Sequence, residues 1–294
     1  MHHRPTTTRH FAMLLAGSTL ALLAACQFGT ALVLTQRALR HAPPAAGARI
    51  SILASAALLA FAALVRVDPG AADARGAAVF AAVGLVFPIA VTRLTFAANR
   101  RLGPSLAGAL GNLAPLFAVL GAALFLAQLP ALAQIAGLAA IAAGVATLSL
   151  AGGTGGARLA GAALALPLAA AAIRGLVQPA TQWGLSFWPS PLAAAAIGYL
   201  VSAAVALATI RAPRPSGPAL AWFTAVGLCN GGAVLTLYAA LAEGPVALVA
   251  PLVATYPLVT LALARLLPNP APLPRAALAG IAATVVGAML LLSG

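Results

Sequence analysis

From residue 11 onward the sequence is a succession of apolar runs, each about as long as a bilayer is thick. That feature narrows the fold more than any other. The runs fall at 11–36, 46–66, 76–98, 104–127, 131–151, 157–180, 191–210, 217–241, 245–267 and 273–292. A hydrocarbon core of ~30 Å needs ~20 helical residues at 1.5 Å each. The breaks read "RHAPPAAGAR", "DPGAADARG", "NRRLGP", "AQLP", "AGGTGGAR", "SFWPSP", "RAPRPSGP", "AEGP" and "LPNPAPLPR". Proline and glycine at such points end one helix and start the next. Lipid does not tolerate unsatisfied backbone, so the runs are read as helices. The expectation is an all-α membrane protein of ten transmembrane helices, multi-pass in the inner membrane, with the lipid bilayer as its solvent.

Composition excludes several alternatives. Of 294 residues 63% are hydrophobic and 6% charged, against ~25% charged in soluble domains. A net charge of +13 would suggest nucleic acid in a soluble protein. Here the arginines lie mostly between runs, where they serve topology, so no nucleic-acid partner is expected. There is no lysine, which excludes Schiff-base chemistry. Cys26 and Cys229 have neither metal-ligand spacing nor a disulfide framework and are read as small packing residues. The stretch "RHFAMLLAGSTLALLAAC" has the form of a lipoprotein signal ending at Cys26. The apolar run continues through "QFGTALVLTQ", so it is read as an uncleaved first span.

The three carboxylates are Asp68, Asp73 and Glu243, and the histidines are His2, His3, His10 and His41. All lie in breaks or at the terminus, so no group titrating near neutral pH is expected at membrane depth. A membrane-embedded hydrolase needs a base or metal ligands there. The chain is therefore read as no enzyme, with no metal and no cofactor.

The chain also repeats itself. "FAANRRLGPSLAGALGNLAPLFAVL" (96–120) matches "YAALAEGPVALVAPLVATYPLVTLA" (238–262). Phe96 and Pro115 have the same spacing as Tyr238 and Pro257, with Gly103-Pro104 and Gly244-Pro245 between them. A Gly-x6-Gly helix follows each copy, at Gly137 and Gly144 and at Gly280 and Gly287. Two five-helix halves, 11–151 and 157–292, account for this. An odd number of spans per half forces the second half to be inverted, as in many transporters.

With these motifs the sequence resembles the EamA-type transporters of the drug/metabolite transporter superfamily. "CQFGTALVLTQRAL" (26–39) is similar to the family's first span, with Gly29 and Arg37 in place and its tryptophan and asparagine missing. The turn that often follows a half's fourth span is "AQLP" in one copy and "LPNPAPLP" in the other, another departure. The resemblance implies ten helices, a central cavity and both termini in the cytoplasm. Arginine placement points the other way. With the amino terminus inside, Arg37, Arg40, Arg49, Arg100, Arg101, Arg158, Arg211, Arg214, Arg265 and Arg275 fall outside, and only Arg4, Arg9, Arg66 and Arg75 inside. This reverses the positive-inside expectation. Small multidrug-resistance relatives bind cations through a glutamate in the first span. No acid lies in this one, which disfavours cationic-drug/proton antiport.

Arg174, in "LAAAAIRGLVQP" (168–179), is the sharpest candidate. An arginine near a helix centre costs roughly 2.5–3.5 kcal/mol on insertion scales, and such residues usually face a bundle interior or a wet cavity. With no acid to pair with, its guanidinium suits a carboxylate or phosphate on a substrate. The competing reading is an arginine closer to the interface that snorkels to headgroups. Arg93 is read first as a snorkelling residue and second as a cavity residue. Gln27, Thr30, Asn112, Gln178, Asn230, Tyr238 and Tyr256 are the polar cavity candidates. Trp183 and Trp188 are read as interface anchors. Pro88, Pro115, Pro167, Pro179, Pro251 and Pro257 fall where helix breaks would line a site. The expected function is secondary transport of a small, carboxylate-bearing metabolite by a monomer or homodimer. The rivals are a lipid-linked carrier flippase and a non-transporting receptor or assembly factor.

Overall fold

A computed structural model describes residues 7–102, 110–151, 161–211, 215–266 and 275–293, and no strand occurs among them. Its helices are α1 (Thr7–Ala38), α2 (Pro44–Arg66), α3 (Ala74–Val86), α4 (Ile89–Leu102), α5 (Ala114–Leu126) and α6 (Leu132–Ala151). They continue as α7 (Gly161–Phe187), α8 (Pro191–Thr209), α9 (Gly217–Glu243), α10 (Val246–Val253), α11 (Tyr256–Arg265) and α12 (Arg275–Ser293). The predicted breaks around Gly103-Pro104, Arg158 and Arg214 lie outside the described residues, as do His2, His3 and Arg4.

Among the described residues seven stretches are long and apolar enough to cross a membrane: Leu14–Ala38, Pro44–Arg66, Ala74–Thr95, Leu164–Phe187, Pro191–Thr209, Gly217–Glu243 and Val246–Leu263. Shorter apolar helices occupy Ala114–Leu126, Leu132–Thr147 and Leu278–Leu290. Large side chains such as Phe61, Leu64, Phe125 and Leu129 point outward, as lipid-facing residues do. α1 runs unbroken through Cys26, which is exposed, and Cys229 is half-buried. The exposed Cys26 does not pack in the interior, whereas the half-buried Cys229 is compatible with the packing role expected.

Local chemistry explains the boundaries. Pro44 and Pro191 open α2 and α8, where a missing N–H is harmless. Asp73 accepts from Gly76 N at 2.8 Å to cap α3, and Asp68 accepts from Gly70 N at 2.9 Å. Two of the chain's three carboxylates are thus caps. Pro88 has no N–H to continue the ladder, so α3 ends at Val86, with Phe87 as its cap, and α4 starts at Ile89. The Phe87–Pro88 bond is cis. A second break follows Val253, where Thr255 folds its hydroxyl back onto Leu252 O at 2.7 Å. Prolines 167 and 179 lie inside a continuous α7, which runs on to Phe187, past the end of the predicted run at 180.

Helix packing relies on small residues. α6 lies along α12, and their glycines meet reciprocally: a Cβ on Gly144 would sit 2.6 Å from Gly280 O, and one on Gly287 2.7 Å from Gly137 O. Other pairings come in matched sets. α1 packs on α9 as α7 packs on α3 and α4; α2 packs on α9 as α8 packs on α3. α5 packs on α7 as α10 and α11 pack on α1. Trp188, read from sequence as an interface anchor, is buried instead, against Gly76 and with its ring 6.2 Å from that of Phe80. Trp183 is half exposed.

Candidate substrate cavity

A cavity of about 310 Å³ opens among α1, α2, the α3–α4 break, α7, α8, α9 and the α10–α11 break. This is the lower end of the size range for small-molecule sites. Both helix breaks contribute: Phe87 and Pro88 from one, Val253 and Tyr256 from the other. Irregular backbone at membrane depth belongs where it is shielded by protein or lines a cavity.

Arg174 is the only charged residue lining this cavity among the described residues. It sits midway along α7, roughly 20 Å from either end at 1.5 Å per residue. Its place is fixed by its neighbour. Gly175 lets α7 approach α5 so closely that a Cβ there would collide with Ala114 O and lie 2.6 Å from Phe117 Cβ. Nη1 of Arg174 lies beside Gly111, 3.9 Å from where a Cβ would stand.

One turn further on, Gln178 also lines the cavity and is 5% exposed. Its Nε2 donates to Arg174 O at 3.5 Å, and its Oε1 is buried without a partner. Asn230, Tyr238 and Tyr256 join them. Asn112 stands behind Tyr256, accepting from its hydroxyl at 3.4 Å.

Asn112 is thus outside the lining itself, and three further sequence candidates fall elsewhere. Gln27 accepts from Thr236 Oγ1 at 2.6 Å and ties α1 to α9, outside the cavity lining. Thr30 spends its hydroxyl on Cys26 O at 2.8 Å within α1. Arg93 lines a second, outer cavity of about 640 Å³ instead. Conversely, Ser51, Ser55, Thr92 and Tyr199 line the central cavity and were not anticipated. Ser51 and Ser55 sit one turn apart on α2, a polar stripe on one face of an apolar helix. Ser55 donates to Gly227 O at 2.7 Å and pins α2 to α9.

The two cavities lie toward one end of the bundle, and a cluster of hydrogen bonds ties the helices together at the other. The outer cavity shares Leu39, Pro44, Ala48, Ile52 and Thr92 with the inner one. Together they lead out where α1 ends, α2 begins and α8 gives way to α9. At the opposite end two glutamines form a clasp. Gln128 Nε2 donates to Gln182 Oε1 at 2.6 Å, and Gln128 Oε1 accepts from Val246 N at 3.1 Å. Gln182 Nε2 donates to Leu241 O at 2.7 Å and Gly244 O at 2.8 Å. The turn that presents Gln128 has Ala127 in the left-handed region, φ 52°. No local sequence pattern signals this clasp, since Gln128 reads as a turn residue and Gln182 lies just past the predicted run 157–180.

Residues 15–150 match the model of the EamA-like transporter family. A solved crystal structure superposes with a TM-score of 0.76, over 93% of this chain and 95% of that one, at 21% identity. At that identity the likeness speaks for the fold alone. No curated protein matches the sequence.

Proposed function

We propose, from the match of residues 15–150 to the EamA-like transporter family, that the chain is a multi-pass membrane transporter of the drug/metabolite transporter superfamily and that its cargo is a small carboxylate-bearing metabolite. It moves this cargo across the cytoplasmic membrane by alternating access. The observation that carries the reading is Arg174: a charge at mid-helix, lining a cavity that no carboxylate shares among the described residues. Its fork matches a carboxylate in two-point fashion. The cavity's remaining lining, with Phe28, Phe87 and Phe223 beside Asn230, Tyr199, Tyr238 and Tyr256, suits a small body with an apolar part. An amino acid or organic acid fits this description.

The architecture in this reading is ten membrane-spanning helices in two inverted halves, 11–151 and 157–292. What supports it is the matched set of helix pairings and the reciprocal Gly144–Gly280 and Gly287–Gly137 contacts. A two-fold axis lying in the membrane plane produces both. The halves rock about the central cavity, and the open mouth and clasped far end correspond to one of the two end states.

Counterflow in proteoliposomes tests the reading. Vesicles are preloaded with unlabelled amino acids, organic acids, nucleosides or sugars, and uptake of the labelled compound is followed. A carboxylate should exchange. Arg174→Gln should fold normally and lower its uptake by at least about tenfold, given ~1.5–3 kcal/mol for a hydrogen bond to a charged group. Arg174→Lys should restore part of it, because charge returns without the fork. Uptake confined to neutral compounds, or carboxylate uptake unchanged in Arg174→Gln, overturns the proposal.

A further inference from the structure

The outer cavity is more than an opening. Arg93 from α4 and Arg211 from the end of α8 are far apart in sequence, yet both line it. A third arginine shapes the same rim: Nη1 of Arg49 donates to Ile210 O at 3.4 Å, next to Arg211. No carboxylate is among the lining residues. The chain's three acids sit at the other end of the bundle. Asp68 and Asp73 follow the far end of α2, and Glu243 closes α9 at the end opposite Gly217. The length of α2 alone is ~35 Å, several Debye lengths at physiological salt. The arginines at the mouth are therefore uncompensated, and the low-dielectric walls of a cleft focus such a field.

We propose that this vestibule is an anion-loading site, which concentrates carboxylate solutes from water and hands them to Arg174. Arg93 and Arg211 hold the anion loosely and exposed to solvent, whereas Arg174 holds it in the enclosed cavity. Thr92 borders both cavities and marks the passage between them. The loading role rests on the transport of an anion proposed above. The electrostatic site itself does not, and it can be tested without any substrate.

The test reads the local potential with thiol reagents of opposite charge. Cys26 and Cys229 are replaced by serine, and a single reporter is placed at Ala97→Cys, which lines the vestibule, or at Thr92→Cys. Reconstitution uses purely zwitterionic phosphatidylcholine, which removes anionic headgroups as competing partners. The anionic sulfonatoethyl methanethiosulfonate should label faster than its trimethylammonium counterpart. Arg93→Gln and Arg211→Gln should each lower the anion-to-cation rate ratio by about fivefold, as expected for one charge ~8 Å away in water. At about 1 M salt the preference should collapse, because screening then acts over ~3 Å. A ratio that favours the cation, or that ignores both arginines at both reporters, overturns the proposal. A preference that appears only when anionic lipid is added assigns these arginines to headgroups and overturns it as well. A normal ratio together with an absence of carboxylate transport would leave the site standing and refute the substrate reading instead.

Discussion

The glutamine clasp at the closed end offers the sharpest test of how the bundle is held shut. Replacing Gln182 with leucine removes three hydrogen bonds, those to Gln128, Leu241 O and Gly244 O. Interhelical hydrogen bonds in membranes average ~0.6 kcal/mol, so the loss comes to ~2 kcal/mol. That magnitude is about a 30-fold shift in any equilibrium the clasp biases. Gln128→Leu removes two bonds, to Gln182 and from Val246 N. One bond is common to both variants, so the double mutant should fall short of additivity by ~0.6 kcal/mol. Unfolding by SDS titration in mixed micelles reads the stabilities. A cysteine at Val249, fully buried in α10 just inside the clasp, reads the opening. Its labelling should be negligible in the otherwise native protein and rise by an order of magnitude or more in Gln182→Leu. Strict additivity of the two single variants, or a Val249→Cys thiol that stays unreactive in both, refutes the reasoning that these amides hold the far end closed.

Two further substitutions follow from the packing. Gly175→Val should lower stability by ~1–3 kcal/mol, the usual range for overpacking, because its side chain meets Ala114 O and Phe117; carboxylate counterflow should fall with it, since Arg174 is displaced. Ala127→Gly should raise the melting temperature slightly, with ~1–2 kcal/mol of left-handed strain relieved against a smaller gain in unfolded-chain entropy, while the Gln128–Gln182 bond is kept.

Much of the fold was legible because one physical requirement dominates it. Backbone in lipid must satisfy itself, so an apolar run of sufficient length reads as a helix, and helices occupy every predicted run that the structure describes. The breaks at Phe87-Pro88 and at Ala254-Thr255 were legible only as proline-bearing stretches. Whether a proline stops a helix depends on what its neighbours supply, as the unbroken α7 around Pro167 and Pro179 illustrates. The cavity was harder to read. Polarity within an apolar run identifies a residue that needs a partner, not which side of the helix holds it. On α1 the cavity-facing residues are Phe28, Ala31, Leu32 and Thr35. At 3.6 residues per turn, Gln27 lies about 90° and Thr30 about 150° around from the centre of that face. Each found its partner elsewhere. Tyr199 and the Gln128–Gln182 pair escaped notice because their roles depend on which distant helix lies opposite, which no local pattern encodes.

The lone arginine also bears on how a cavity like this can cycle. A charge at mid-membrane is tolerable while water reaches it through an open mouth, and the outer cavity provides that access. Passing to the opposite state requires an interval in which both ends are shut. With nothing bound, the guanidinium would then lose its water without gaining a partner, at a cost of several kcal/mol. With a carboxylate bound, the same interval encloses a neutral, hydrogen-bonded pair, and much of that penalty is offset. Tyrosines and amides lining the cavity can complete the pair's remaining hydrogen bonds, whereas no acid among the lining residues can replace the substrate as counter-charge. In the proposed carrier the loaded form should therefore cross more readily than the empty one. That asymmetry would favour exchange of one anion for another over net flux, and counterflow that exceeds net uptake into empty vesicles is the expected result.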